Sequence, residues 1–424
     1  MLPRVTGNLA DLVRTAGRAH PDKPALVFHG ESTTWGELDA RVDGVARGLR
    51  GLGLEAGDRV ALHLGNTPDF PAAYFGVLRA GLVALPVNPG YTAPELTHVL
   101  GDSGARAVVT SAEASATLRS VEAGPEHVLV TGESSWTDLE ADCSPYDAVG
   151  GGEDLAVLLY TSGTSGRPKG AMLSHRALLA NLEQTSAIEP KVVADDDIVL
   201  LVLPLFHVYG LNGALGMVAK HAATGVLVER FDPVATLEEI RRHEVTNVFG
   251  APPMWVAWSL LPDVGDAFAT VRLAASGAAP LPPAALHRVL EVTGHHVFEG
   301  YGLTETAPVL TSTLMSEVPR PASIGRPVPG VELRLLDESG SVVEDGDPGE
   351  IVVRGPNLFS GYWPDGADGP DGDGWFATGD IGELDDHGYL RITDRKKDLI
   401  KTSGGKYVAP QKVEGVLKAV CPYI

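Results

Sequence analysis

Cysteine is nearly absent from this chain. Only Cys143 and Cys421 occur among 424 residues, far apart and without Cys-x-x-Cys spacing, which argues against a disulfide framework and against a zinc site. Positive charge is also scarce, with 33 Lys and Arg against 55 Asp and Glu and a formal net charge of -22. A general nucleic-acid binder needs a basic footprint, so that class of partner is excluded. Small anionic ligands are not excluded, because a few local cations and helix N-termini bind phosphate inside an acidic protein. Long apolar runs are missing too. The amino-terminal MLPRVTGNLADLV lacks the apolar core of a signal peptide, and no run approaches the roughly 18 residues of a membrane span. The longest candidate, residues 198–206, reads as a buried strand. No internal repeat is evident, and the expected location is the cytoplasm.

What is present is ordinary for a folded protein: 44% hydrophobic and 21% charged residues. A single core stops growing near roughly 250 to 300 residues, so this length implies two or more cores. Leu38, Val42, Val45, Leu49 and Leu52 recur at helical spacing. Strand-like residues 59–64, 82–87 and 105–110 then alternate with helical residues 71–78 and 94–100, the rhythm of a doubly wound sheet. Residues 112–151 are weaker in pattern and predict a surface excursion. Residues 199–206, 225–228 and 247–250 continue the strands, with helical segments such as 233–244 between them, and predict a second parallel sheet. From residue 324 onward, short strands at 331–337, 350–355, 381–385 and 389–393 are parted by Gly, Asp and Pro turns. That texture predicts a small barrel or sandwich. The acidic, glycine-rich PDGADGPDGDG at 364–374 lacks EF-hand spacing and its terminal glutamate, so it reads as a solvated loop.

The chain is organised around LAVLLYTSGTSGRPKGAMLSH, residues 155–175. An apolar strand leads into a loop holding Thr161, Ser162, Thr164 and Ser165, with Gly163, Gly166 and Gly170 among them and one lysine, Lys169. After Ala171 the spacing of Leu173, Ala177, Leu178 and Leu182 predicts a helix. Glycines let successive N–H groups point into one concavity, hydroxyls add donors and the lysine adds a compact charge, which suits a polyphosphate. The Walker A order is absent, and a flexible Ser/Gly surface loop is the other reading of that composition.

Further strings carry chemistry. EGYGLTET at 299–306 flanks Tyr301 with Gly300 and Gly302, leaving room for a flat ligand, and adds Thr304 and Glu305 as hydroxyl and carboxylate. SGAAP at 276–280 offers Gly277 and Ala278 in a tight turn; TGD at 378–380 ends on Asp380; DRKKDLIKTSGGKYVAP follows at 394–410; and PLFHVYG at 204–210 places His207 and Tyr209 beside an apolar strand.

YTSGTSGRPKG resembles the phosphate-loop signature of the adenylate-forming enzymes, which include acyl-CoA synthetases, 4-coumarate:CoA ligases, luciferases and the adenylation domains of peptide synthetases. The likeness spans essentially the whole chain, with its motifs in the family's order, and HVYGLNG looks closest to fatty-acyl and aryl acid:CoA ligases. The resemblance implies two doubly wound α/β sheets flanked by helices plus a small β-barrel subdomain. A large domain would occupy 1–393, its barrel 324–393, and residues 394–424 would begin a mobile α+β domain. The substrates and cofactors implied are ATP, Mg2+, a non-amino carboxylic acid and CoA. The phosphates would fall to Thr161, Ser162, Gly163, Thr164, Ser165, Gly166, Lys169 and Thr304, the magnesium ion to Glu305, and adenine to Gly277, Ala278, Gly300, Tyr301 and Gly302. Asp380 and Arg395 would bind ribose, Asp394 would be the hinge, and Lys401 would serve thioester formation. His207 would stand beside the acid's carboxylate, with Tyr209, Gly213, Ala278, Gly300 and Val309 as pocket walls. Amino-acid-activating relatives carry Asp where His207 stands, to pair with the substrate ammonium, so the histidine disfavours amino acids.

Only 30 residues follow Asp394 in this sequence, whereas the family's C-terminal domain runs to roughly 100 residues and brings a late lysine that serves adenylation. The expectation is therefore a chain that binds ATP and acid but adenylates weakly, whereas the intact enzyme would make acyl-AMP and then acyl-CoA. The alternatives are a noncatalytic nucleotide or acyl-adenylate binding module, and delivery of the acyl group to a carrier protein. A homodimer is compatible with either.

Overall fold

Two α/β sheets and one antiparallel meander, with a short two-stranded ladder of Ile400–Lys401 and Tyr407–Val408 after them in the chain, make up the computed structural model, which describes residues 6–122, 124–161, 167–316, 322–343 and 346–396, with the backbone at 400–401 and 407–408. The first sheet has six strands. Arg59–His63 lies between Ala107–Thr110 and Val83–Pro86, His127–Val130 extends one side, and the hairpin Leu155–Thr161 and Lys169–Ser174 extends the other. All neighbours are parallel except that hairpin. Parallel strands need crossovers, and helices Asp69–Arg79 and Ala93–Ser103 supply two of them. Helix Trp35–Gly51 starts where a capping box forms, with the Thr34 amide donating to Glu37 Oε2 at 2.8 Å and the Glu37 amide to Thr34 Oγ1 at 3.2 Å.

The second sheet has nine strands. Six are parallel: Pro24–Phe28, Thr224–Leu227, Ile198–Leu201, Asn247–Gly250, Leu273–Ser276 and Val297–Gly302. Antiparallel Glu31–Thr34 closes one edge, and Val309–Ser312 with Arg326–Pro327 the other. One hydrophobic core runs through both sheets and on into the meander, including Leu62, Leu178, Leu201, Leu215 and Val353.

The expected small barrel takes the form of a four-stranded meander, Glu332–Leu336, Gly349–Arg354, Phe376–Leu384 and Leu390–Arg395. Its turns are set by aspartates that accept from amides two and four residues on. Asp337 takes Ser339 and Ser341, Asp371 takes Asp373 and Trp375, and Asp385 takes His387 and Tyr389, all at 2.8 to 2.9 Å. Short polar side chains of this kind mimic a backbone turn.

Three expectations need correction. Residues 112–151 are not wholly an excursion, because His127–Val130 is an edge strand; Leu129 is buried while Val128 is 46% exposed, so the apolar signal of a strand is weak there. The segment after Ala171 does not begin a helix. Lys169–Ser174 is a strand whose Ala171 and Leu173 are buried on alternate positions, and the helix His175–Ser186 starts only after Ser174 Oγ accepts the Ala177 amide at 3.2 Å. The strand predicted at 198–206 stops at Leu201, since Asn66 folds the chain away by donating to the Leu201 and Leu203 carbonyls and accepting the Leu205 amide. The hairpin Pro24–Phe28 and Glu31–Thr34 joins the second sheet although it precedes the whole of the first.

Candidate active site

The three sheets meet around a cavity of ≈ 1020 Å³. Its walls come from the carboxyl ends of Asn247–Gly250, Leu273–Ser276 and Val297–Gly302, where ligands of open α/β sheets bind. The Leu155–Thr161 and Lys169–Ser174 hairpin contributes Thr161 and Lys169; the meander contributes Thr378, Asp380 and Arg395. Residues separated by more than 200 positions therefore face one space.

Charged side chains in this wall are linked to one another. Lys169 Nζ lies 2.9 Å from Asp368 Oδ2 and 5.2 Å from the centre of the Tyr362 ring. The Tyr362 hydroxyl donates to Glu305 Oε1 at 2.5 Å, and burial together with that carboxylate pushes the phenol's pKa up. The Tyr301 hydroxyl donates to Asp380 Oδ2 at 2.6 Å, and Arg395 Nε stands 3.3 Å from Asp380 Oδ1. Lys396 Nζ and Glu350 Oε2 are 2.7 Å apart. Asp394 is buried in the strand, and its Oδ1 accepts the Arg395 amide at 2.7 Å.

Apolar side chains line the cavity too, among them Ile188, Val192, Phe249, Phe298, Val309 and Leu314, and the Tyr209 ring meets Phe249 edge-on at 6.5 Å. Tyr209 begins a π-helical turn, Tyr209–Gly216, which Asn212 anchors by donating to the carbonyls of Leu178 and Ala307. A Cβ on either Gly213 or Gly277 would approach the Tyr209 ring to 2.9 Å, so the absence of side chains there makes room for the aromatic. His207 faces the cavity with its Nδ1 accepting the Tyr209 amide at 3.4 Å. His207 is exposed at the cavity surface, and the partial loss of water there shifts its pKa below the ordinary histidine value.

Of the residues singled out in the sequence, Thr161, Lys169, His207, Tyr209, Gly213, Gly277, Ala278, Gly300, Tyr301, Gly302, Thr304, Glu305, Val309, Asp380 and Arg395 all line this cavity. Ser162, Gly163, Thr164, Ser165, Gly166 and the Lys401 side chain lie outside the described residues. One physical reason changes: a Cβ on Gly302 would fall 1.8 Å from the Pro308 carbonyl, so that glycine is required by the chain's own return and not only by a flat ligand.

Sequence reasoning missed Tyr362 and Asp368. Asp368 sits in the stretch read as a solvated loop, yet it ion-pairs with Lys169 in the cavity wall. Composition gave no signal for it; the one available cue was the aromatic Tyr362-Trp363 pair just before the acidic run. Glu299 was also passed over. Its buried carboxylate is pushed up in pKa by burial and accepts the Leu281 amide at 3.0 Å, bracing the 277–281 loop.

A family model described as AMP-binding enzyme matches residues 13–363. The chain is 35% identical over 452 aligned positions to a long-chain-fatty-acid–CoA ligase of Escherichia coli O157:H7, covering 97% of this chain and 80% of that protein. It is 37% identical over 408 positions to a feruloyl-CoA synthase of Amycolatopsis sp, covering 94% and 81%. Among solved structures, ATP-bound MatB from Rhodopseudomonas palustris superposes with a TM-score of 0.88 at 34% identity, over 96% of this chain and 83% of that one. The anthranilate CoA ligase AuaEII in complex with anthranoyl-AMP gives 0.88 at 28% identity, over 98% and 82%. A family match over most of the chain, together with relatives above 30% identity that share nearly all of it, establishes that this protein belongs to the AMP-binding enzyme family.

Proposed function

We propose that this protein activates a non-amino carboxylic acid, fatty or aryl, with ATP, forming an acyl-adenylate and releasing pyrophosphate, and that the acyl group then passes to CoA. The observation that carries this reading is one cavity lined both by linked charged and polar side chains and by apolar ones. Relatives named as fatty-acyl and feruloyl ligases, and structural neighbours holding ATP and an acyl-AMP, support it.

In this reading the carboxylate of the acid attacks the α-phosphorus of ATP while Lys169, Thr161 and Thr304 hold the phosphate oxygens. Positioning and fixed charge do most of the work in such transfers. Tyr301, Gly277, Ala278, Gly300 and Gly302 line the base; Asp380 and Arg395 take the ribose hydroxyls, with the Tyr301 hydroxyl already fixing one oxygen of Asp380. His207 orients the acid's carboxylate, and Tyr209, Gly213 and Val309 enclose its carbon skeleton.

Glu305 fits a magnesium ion. It faces the cavity, and a carboxylate has about four acceptor positions, of which Tyr362 takes one. Magnesium is usually held by one or two carboxylates plus substrate phosphates, so a lone glutamate suffices. Bound there, the ion supplies neutralisation of the phosphate charge. The acid's class is read from the wall: among the described residues lining the cavity the acidic groups are Glu305, Glu350, Asp368 and Asp380, and each already has a partner. A substrate ammonium would have to displace one of those partners to gain a counter-charge.

The test is acid-dependent ATP–pyrophosphate exchange on this chain, with hydroxamate trapping, across fatty acids, hydroxycinnamic acids and amino acids. Trapped hydroxamate from fatty or aryl acids is expected. Preference for amino acids, or exchange unaffected by any acid, would overturn the reading.

A further inference from the structure

Lys169 already has a partner. Its ammonium is 2.9 Å from Asp368 Oδ2, and both residues line the cavity. The contact is not a chance meeting of two long, loose side chains, because both backbones are set by one ladder. Beside Lys169, the Gly170 carbonyl accepts the Trp363 amide at 2.8 Å, the Met172 amide donates to the Gly361 carbonyl at 3.1 Å and its carbonyl accepts the Ser360 amide at 2.9 Å. From there a tight return brings the Ala367 carbonyl onto the Tyr362 amide at 2.9 Å and the Gly366 amide onto the Tyr362 carbonyl at 2.8 Å. Asp368 follows directly with φ 55, a left-handed backbone that few non-glycine residues hold without local support. Below the ammonium lies the Tyr362 ring, whose hydroxyl is tied to Glu305. The lysine is thus aimed by a carboxylate above and an aromatic beneath.

We propose that Asp368 is a resident counter-ion that stands where a phosphate oxygen would stand on Lys169. In the empty site it positions the ammonium; when a polyphosphate enters it is displaced, and it competes again as the product leaves. The inference rests on the phosphate role of Lys169 in the proposed function. Asp368 touches neither base nor acid in this scheme, so it is a positioning residue that lowers affinity for phosphate through Lys169. The pair is exposed, Lys169 at 42% and Asp368 at 68%, which keeps the competition modest and the exchange rapid.

The experiment is calorimetric titration of ATP and, separately, adenosine into the parent chain, Asp368→Asn, Asp368→Ala, Lys169→Ala and the double variant Lys169→Ala with Asp368→Asn. Both Asp368 variants are expected to bind ATP about threefold more tightly, to bind adenosine as the parent does, and to lose the gain in the Lys169→Ala background. Unchanged or weaker ATP binding in both variants overturns the counter-ion role, as does an equal gain for adenosine, which would mark a change of loop structure. A gain that persists without Lys169 also overturns it. A parent chain that binds neither ligand sinks the function reading itself, a result distinct from any of these.

Discussion

The two parts of the cavity wall are built by opposite means. Around Lys169 the structure is held by side-chain bonds between residues far apart in sequence: Lys169 with Asp368, Tyr362 with Glu305, Tyr301 with Asp380. Around Tyr209 it is held by packing, with an aromatic ring fitted between Gly213 and Gly277 and backed by Phe249. Polar links of the first kind exchange partners when a charged ligand arrives. A packed ring of the second kind yields little, because interiors are near crystal density. The difference teaches where each task belongs: charge that must be traded sits on exchangeable pairs, and shape that must persist sits on glycines.

The largest expected blow to this contrast is Lys169→Ala. Loss of one charge-stabilising donor typically costs 10²- to 10³-fold in rate, so acid-dependent exchange should fall by about that much, while binding of the acid, followed by its own titration, stays near the parent value. Equal losses in both would mean that the two parts are not separable.

Next in size is a change that leaves both parts alone. His175, buried at the start of His175–Ser186, accepts the Leu9 amide at 3.0 Å, and burial holds its pKa at about 4. Its ordinary value is about 6.5, so between those two pH values the unfolded chain takes up a proton that the folded chain refuses. Stability should therefore fall as pH drops from about 6.5 to about 4, by roughly 3 kcal/mol. Denaturant titrations across that window check it, and His175→Asn, which keeps an acceptor for Leu9, should flatten the slope.

Gly213→Ala sharpens the packed half. Its Cβ would meet the Tyr209 ring at 2.9 Å, and overpacking of this kind costs about 1–3 kcal/mol. Acid binding should weaken more than ATP binding; the reverse order would place the strain on the nucleotide side. The smallest effect belongs to Lys396→Ala, which removes an ion pair with Glu350 in which the lysine is 59% exposed. Thermal denaturation should shift by about 0–1 kcal/mol, a loss that shrinks as salt is raised.

The doubly wound alternation was legible because buried parallel strands leave short apolar runs and their crossover helices leave 3.6-residue spacing. It failed where that link between burial and pattern is weak. His127–Val130 is an edge strand with one buried side chain, and Lys169–Ser174 was hidden by the helical spacing that follows it. The candidate site was legible wherever residues sit in dense local strings, as around Tyr301 and His207. Asp368 stood in a run of aspartates and glycines whose composition is that of any solvated loop.

By itself the sequence determined the α/β class and which short strings carry hydroxyls, carboxylates, lysine and glycine, since these follow from local periodicity and side-chain chemistry. Only the tertiary structure decided that Lys169 is matched with Asp368, that Glu305 is held by Tyr362, and that Gly213 and Gly277 make space for one tyrosine. Each of those pairings joins residues 57 or more positions apart or depends on a ring filling the space of an absent Cβ. Such distances are fixed by how sheets stack, a property of the packed whole that no local stretch of chain contains.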